Sequence, residues 1–234
     1  MENRPAGLVM STVPVPIPVV WERLFAKALL AIGEIERHGR ADPFWTFGGG
    51  TVLMLRYGHR FSKDIDIFVP DPQSLGFVTP RLSDVAESIT NDYVESGMYV
   101  KLFLEEGEID FVAAPNLTTP AFERWTIQGR TVRVETAGEI IAKKMWHRGD
   151  RITGRDIFDV ALIAEREPDV LFANAEIMLR HADAVLKQLV DRRESLRKQF
   201  EAIDVLNYSP TYEYACSAVV DMLQLMRIRV SAAK

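Results

Sequence analysis

FGGGTVLMLRYGHRFSKDIDIF, residues 47–68, decides how this chain is read. From Asp64 onward the stretch alternates. Ile65, Ile67 and Val69 fall on one side of an extended segment and Asp64, Asp66 and Phe68 on the other, the period of a strand with one buried face. Both carboxylates therefore point the same way. An unpaired carboxylate taken out of water is costly, so two on one strand call for a cation. Two aspartates one residue apart, joined by a third acid from a neighbouring strand, make the hard oxygen set that Mg2+ prefers. Asp110, in a strand pattern over residues 109–113, is the candidate third. One or two Mg2+ ions on Asp64, Asp66 and Asp110, with Mn2+ as an alternative, would draw charge from a nucleotide triphosphate and activate an attacking hydroxyl. The glycines suit the same chemistry. Residues without Cβ let backbone N–H groups approach phosphate oxygens, and a helix expected over residues 51–57, closed by Gly58, adds its positive end. Gly49, Gly50 and Thr51 are the candidates for the β and γ phosphates.

Outward from this stretch, residues 20–38 carry apolar side chains at helical spacing, followed by a turn at Asp42-Pro43. Residues 44–47 read as a short strand. A helix near 82–95 leads to two hairpins, 98–104 with 109–113 and 125–127 with 132–134, the second turning on Gln128-Gly129. Beyond Glu135 the pattern is helical. Thr136-Ala-Gly-Glu139 is a capping-box signature, and helices are expected over 155–166, 170–190, 192–206 and 211–227. The expected organisation is a proline-rich arm over residues 1–19, a small α/β unit over 20–135 and a helical region over 136–234.

The 234 residues, 47% hydrophobic and 26% charged, suffice for a sizeable core. No apolar run in the opening segment, broken by Pro5, Pro14, Pro16 and Pro18, is long enough for a signal or membrane helix, so the expected setting is soluble and cytoplasmic. One cysteine excludes an internal disulfide, and four scattered histidines argue against zinc. The net charge of −5 hides a segregation. Acids crowd residues 84–110, where Lys101 is the single base, whereas Lys143, Lys144, Arg148, Arg151 and Arg155 make a later basic run. Solvated helix faces account for most such runs; a groove for a polyanion is the alternative.

The conjunction of a Gly-Gly turn, a helix, Asp64-Ile65-Asp66 and a third acid in Glu108-Ile-Asp110 resembles the nucleotidyltransferase superfamily, and within it the AbiEii/AbiGii-type toxins. The toxin likeness extends to Arg60 and Ser62 ahead of the acids and to EIIAKKMWHRGDRITGRDIFDV, which pairs a helix-borne lysine, best matched by Lys144, with Arg155, Asp156 and Asp159. It spans residues 45–162. Thr51 follows the second glycine of the turn, Gly50, where many relatives have serine. The resemblance implies an α/β (α+β) fold with a mixed sheet flanked by helices and a C-terminal helical region. It implies Mg2+-dependent transfer of a nucleoside monophosphate from NTP to an acceptor, RNA and specifically a tRNA 3′ end, with pyrophosphate leaving and a cognate antitoxin as partner. By the same resemblance Lys144 and Asp156 join the three acids as catalytic candidates, while Ser62, Lys144 and Arg155 join Gly49, Gly50 and Thr51 as substrate contacts. Two alternatives stand beside this: the same chemistry on a protein or a small molecule such as an aminoglycoside, and a non-catalytic nucleotide-binding module.

Overall fold

The structure, a computed structural model, describes residues 19–38 and 43–232. The expected proline-rich arm, save Val19, and the Asp42 half of the expected turn lie outside the described residues. Helix α1 (Val20–Arg37) comes first, then strand β1 (Thr46–Gly48), helix α2 (Gly49–Tyr57) and strand β2 (Ile65–Val69). Helix α3 (Asp84–Ile89) precedes β3 (Tyr93–Ser96), β4 (Tyr99–Leu104), β5 (Gly107–Ala113), β6 (Phe122–Ile127) and β7 (Arg130–Glu135). The rest is helical: α4 (Ala137–Arg148), α5 (Gly154–Arg166), α6 (Pro168–Phe172), α7 (Ala175–Met178), α8 (Ala182–Asp191), α9 (Arg193–Glu201) and α10 (Tyr212–Ala232).

The strands form one mixed sheet in the order β3-β4-β5-β2-β1-β7-β6. β2 runs parallel to β5 and β1 parallel to β7, while the remaining neighbours are antiparallel. Alternation sorts the two faces. Ile65, Ile67, Val69, Ile109, Phe111, Val100 and Leu102 are buried on one side, where α1 packs with Leu24, Phe25, Ala28 and Ile32. Asp66, Phe68, Glu108, Asp110 and Lys101 occupy the other. The sheet thus stabilises itself through one face and offers the second to chemistry. The Gln128-Gly129 turn places both residues at positive φ, 49° and 75°, the geometry of the tight hairpin turn expected there.

Three expectations need correction. Residues 82–95 do not form one helix: α3 stops at Ile89, and Tyr93–Ser96 pairs antiparallel with β4 as the sheet's edge. Hydrogen bonding to a ready strand outweighs the helical propensity of an acid-rich segment. The long helix over 170–190 is broken into α6, α7, a 3-10 turn and α8. At Thr136 the capping box is half made. Thr136 accepts from Glu139 N–H, but the Glu139 carboxylate turns away to accept from the backbone of Leu117 and Thr118 and from the Thr118 hydroxyl. The reciprocal box forms instead at Thr153 and Asp156, opening α5.

Helix α5 is the centre of the helical part, with Ile157, Phe158, Val160, Leu162 and Ile163 all buried. Phe158 meets the rings of His59, Phe200 and Tyr208. The chain after α9 then returns to the sheet part. Phe61 N donates to Asp204 O at 2.7 Å, Leu206 N to His59 O and Asn207 N to Gly58 O at 2.9 Å each. A single cluster of buried side chains runs through both parts.

Candidate active site

Register builds one wall of the site. Asp66 on β2 stands opposite Asp110 on β5, which in turn stands opposite Lys101 on β4. On the other side of Asp66 comes Gly48 of β1. Asp64, just before β2, accepts from Glu108 N–H through Oδ1 at 3.1 Å. Four carboxylates, Asp64, Asp66, Glu108 and Asp110, therefore line one cleft. Burial and the charge of its neighbour press on each central acid. Desolvation, with Asp64 adding repulsion, pushes Asp66 up to about 6, and desolvation together with Asp66 pushes Asp110 up to about 7.

The glycine turn is shaped to this wall. Gly49 has φ +73°, and a Cβ there would fall 1.8 Å from Asp66 Oδ2. At Gly50 a Cβ would stand 2.6 Å from the Arg60 guanidinium and 3.0 Å from Ser62 Oγ. Only glycine lets the start of α2 lie against these side chains, and Gly49, Gly50 and Ser62 all face the cleft.

Helices α4 and α5 supply the opposite wall. Lys144 Nζ lies 2.7 Å from Asp156 Oδ1 and 3.1 Å from Asp159 Oδ2. Arg148 approaches Asp156 at 3.5 Å, and Arg151 and Arg155 line the rim. Burial alone would raise Asp156 and Asp159. The nearby cations reverse that: Lys144 and Arg148 lower Asp156, while Arg60 and Lys144 hold Asp159 well below the usual carboxylate range. Arg60 grips Asp159 with two hydrogen bonds, Nε at 2.7 Å and a terminal nitrogen at 2.8 Å, and His59 Nε2 lies 2.9 Å from the same carboxylate. Lys143 is spent elsewhere, buried between Glu135 and Glu139 beneath the Phe68 ring. The cleft encloses about 410 Å3, the size of a small-molecule site.

The structure therefore brings Asp64, Asp66, Asp110, Gly49, Gly50, Ser62, Lys144, Arg155 and Asp156 to one cavity. Thr51 is the exception. Its side chain is buried, with the hydroxyl donating to Asp64 O at 2.6 Å and lying within hydrogen-bond distance of the Ser62 hydroxyl, at 3.1 Å, so its expected contact with phosphate through that hydroxyl is corrected to a strut beneath the acids. Thr51→Val is expected to cost about 1–2 kcal/mol of stability and to leave nucleotide affinity near wild type, checked by urea unfolding beside a nucleotide titration. Glu108, Lys101, Arg148 and Arg151 line the cleft as well, beyond the site residues expected from the sequence. The signal for Glu108 was present, since Glu108-Ile-Asp110 repeats the alternation of Asp64-Ile-Asp66.

The donors suit a small hard cation: all are oxygens, and Asp110 Oδ1 is buried without a hydrogen-bond partner. Among the described residues no three Asp, Glu, His or Cys side chains are gathered at metal-holding positions. Asp64 Oδ1 is held by Glu108 N–H and Asp110 Oδ2 by Lys101.

A family model described as nucleotidyl transferase AbiEii toxin, type IV TA system, matches residues 35–211. No curated protein sequence matches. Solved structures that match the chain include JHP933 from Helicobacter pylori, at 18% identity, covering 93% of this chain and 96% of that one with a TM-score of 0.47, and MenT4, a nucleotidyltransferase toxin from Mycobacterium tuberculosis, at 17% identity, covering 91% and 90% with a TM-score of 0.47. Among the described residues no helix is long and apolar enough to cross a membrane.

Proposed function

For a chain that belongs to the AbiEii nucleotidyl transferase toxin family, we propose Mg2+-dependent transfer of a nucleoside monophosphate from NTP to RNA, at the 3′ end of a tRNA, with pyrophosphate leaving and a cognate antitoxin restraining the enzyme. One observation carries this reading: an acidic sheet wall, with Asp66 and Asp110 in register, faces a basic helical wall across a glycine turn. Asp64, Asp66 and Asp110 are the residues that would hold the ion. Mg2+ bound there supplies charge neutralisation of the triphosphate and lowers the pKa of the attacking hydroxyl.

The chain's own groups do the rest. Backbone N–H groups of Gly49 and Gly50, at the positive end of α2, cradle phosphate oxygens. Lys144, held in place by Asp156 and Asp159, presents an ammonium from the opposite wall. Arg155 and Arg151 at the rim meet the polyanionic acceptor. One of the sheet carboxylates takes the proton of the attacking hydroxyl. Labelled NTPs incubated with Mg2+ and total tRNA should place label in RNA. No label from any NTP, or equal labelling by Asp64→Ala, would refute the RNA reading, and label in protein or in an aminoglycoside would select the other acceptors.

A further inference from the structure

Lys101 sits where a lysine is least expected, inside the acidic wall. It is the only base of residues 84–110. Strand pairing places it directly across from Asp110, and its ammonium lies 3.0 Å from Asp110 Oδ2 and 2.5 Å from Glu108 Oε2. Among the described residues no other cation comes within ion-pair distance of either acid. The lysines of the facing wall are committed to acids of their own, Lys144 to Asp156 and Asp159, Lys143 to Glu135 and Glu139. Asp110 thus has one oxygen occupied by Lys101 while the other is buried without a hydrogen bond.

We propose that Lys101 is the built-in counter-cation of the carboxylate cluster: it holds Glu108 and Asp110 together in the unliganded protein and gives up Asp110 to a divalent cation. The side chain is 30% exposed and lines the cleft, so its ammonium can swing without unfolding β4. An ammonium and a divalent ion on one carboxylate repel strongly at contact distance, so they exclude each other. Lys101 is a positioning residue on this account, setting how tightly the ion binds. The inference rests on the proposed role of Asp64, Asp66 and Asp110 as ion ligands.

Calorimetric titration of the full chain with Mn2+ tests it. Lys101→Met and Lys101→Gln should bind the ion roughly tenfold tighter or more. Both should melt lower than wild type without the ion and gain more on its addition, whereas Lys101→Arg should behave as wild type. Neutral variants that bind no tighter than wild type overturn the proposal, and leave the ligand assignment standing if wild type binds. Folded protein that binds no Mn2+ in any form overturns the ligand assignment itself, and this proposal with it. In wild type, acetic anhydride labelling read by peptide mass spectrometry needs no variant: Lys101 should react several-fold faster once Mn2+ is bound, with exposed Lys198 unchanged. Equal Lys101 reactivity while calorimetry shows a bound ion also overturns it.

Discussion

Asp159→Ala is expected to cost the folded state about 3–5 kcal/mol, a large share of what holds a domain of this kind together. Its carboxylate is fully buried, accepts from Arg60 and His59, and forms an ion pair with Lys144. Removing it leaves the Arg60 guanidinium, itself only 4% exposed, without the carboxylate it is paired to. Asp159→Asn keeps the volume but loses the charge and is expected to fall between the two. The sign of the pH dependence follows from the depressed native pKa. The stability this acid contributes is present above the unfolded Asp value, about 3.9, and is lost as pH falls below that toward the native value. Urea midpoints of wild type and Asp159→Asn should therefore converge in acid and separate toward neutrality. Equal midpoints at neutral pH would show that the network is not what anchors residues 59–60 to α5.

Asp66→Asn should do the reverse. Transfer activity is expected to fall by roughly 10³-fold or more, because the position that gathers charge during the reaction loses its carboxylate. Stability without divalent ions should stay level or rise. Asp66 faces Asp110 across one strand pair and makes no side-chain hydrogen bond among the described residues to be lost. Two acids forced into register in a partly desolvated cleft repel, and asparagine removes that repulsion at almost unchanged shape. Melting curves and labelling assays on the same preparation separate the outcomes. A lower melting temperature with activity retained would make Asp66 a structural acid.

Much of this arrangement was legible in residues 47–68. Alternation placed Asp64 and Asp66 on one face, and the glycines announced a turn that Gly49 takes at positive φ. The hairpin over residues 99–113 was likewise written in local pattern, which is why Asp110 could be named. What could not be read was set by contacts distant in sequence. Asp159 does meet Lys144, as the likeness implied, but its closest bonds, unread in the sequence, reach back to His59 and Arg60, 100 and 99 residues away. Thr51 looked like a phosphate contact because it continues the glycine turn, and only packing shows its hydroxyl turned under the acids. Tyr93–Ser96 became a strand because β4 offered an open edge, a fact no window of residues contains.

The short return of the chain at residues 204–207 has a bearing on synthesis. It hydrogen-bonds the segment that carries His59 and Arg60, and Arg60 itself bridges to Val205 as an isolated ladder rung. A polypeptide growing from its N-terminus lays down the acids and the glycines early, but it cannot fasten this clasp until residue 207 has left the ribosome. Nascent chains therefore carry the reactive groups well before the frame that aligns them is complete, and the site comes into register only once residue 207 has been made.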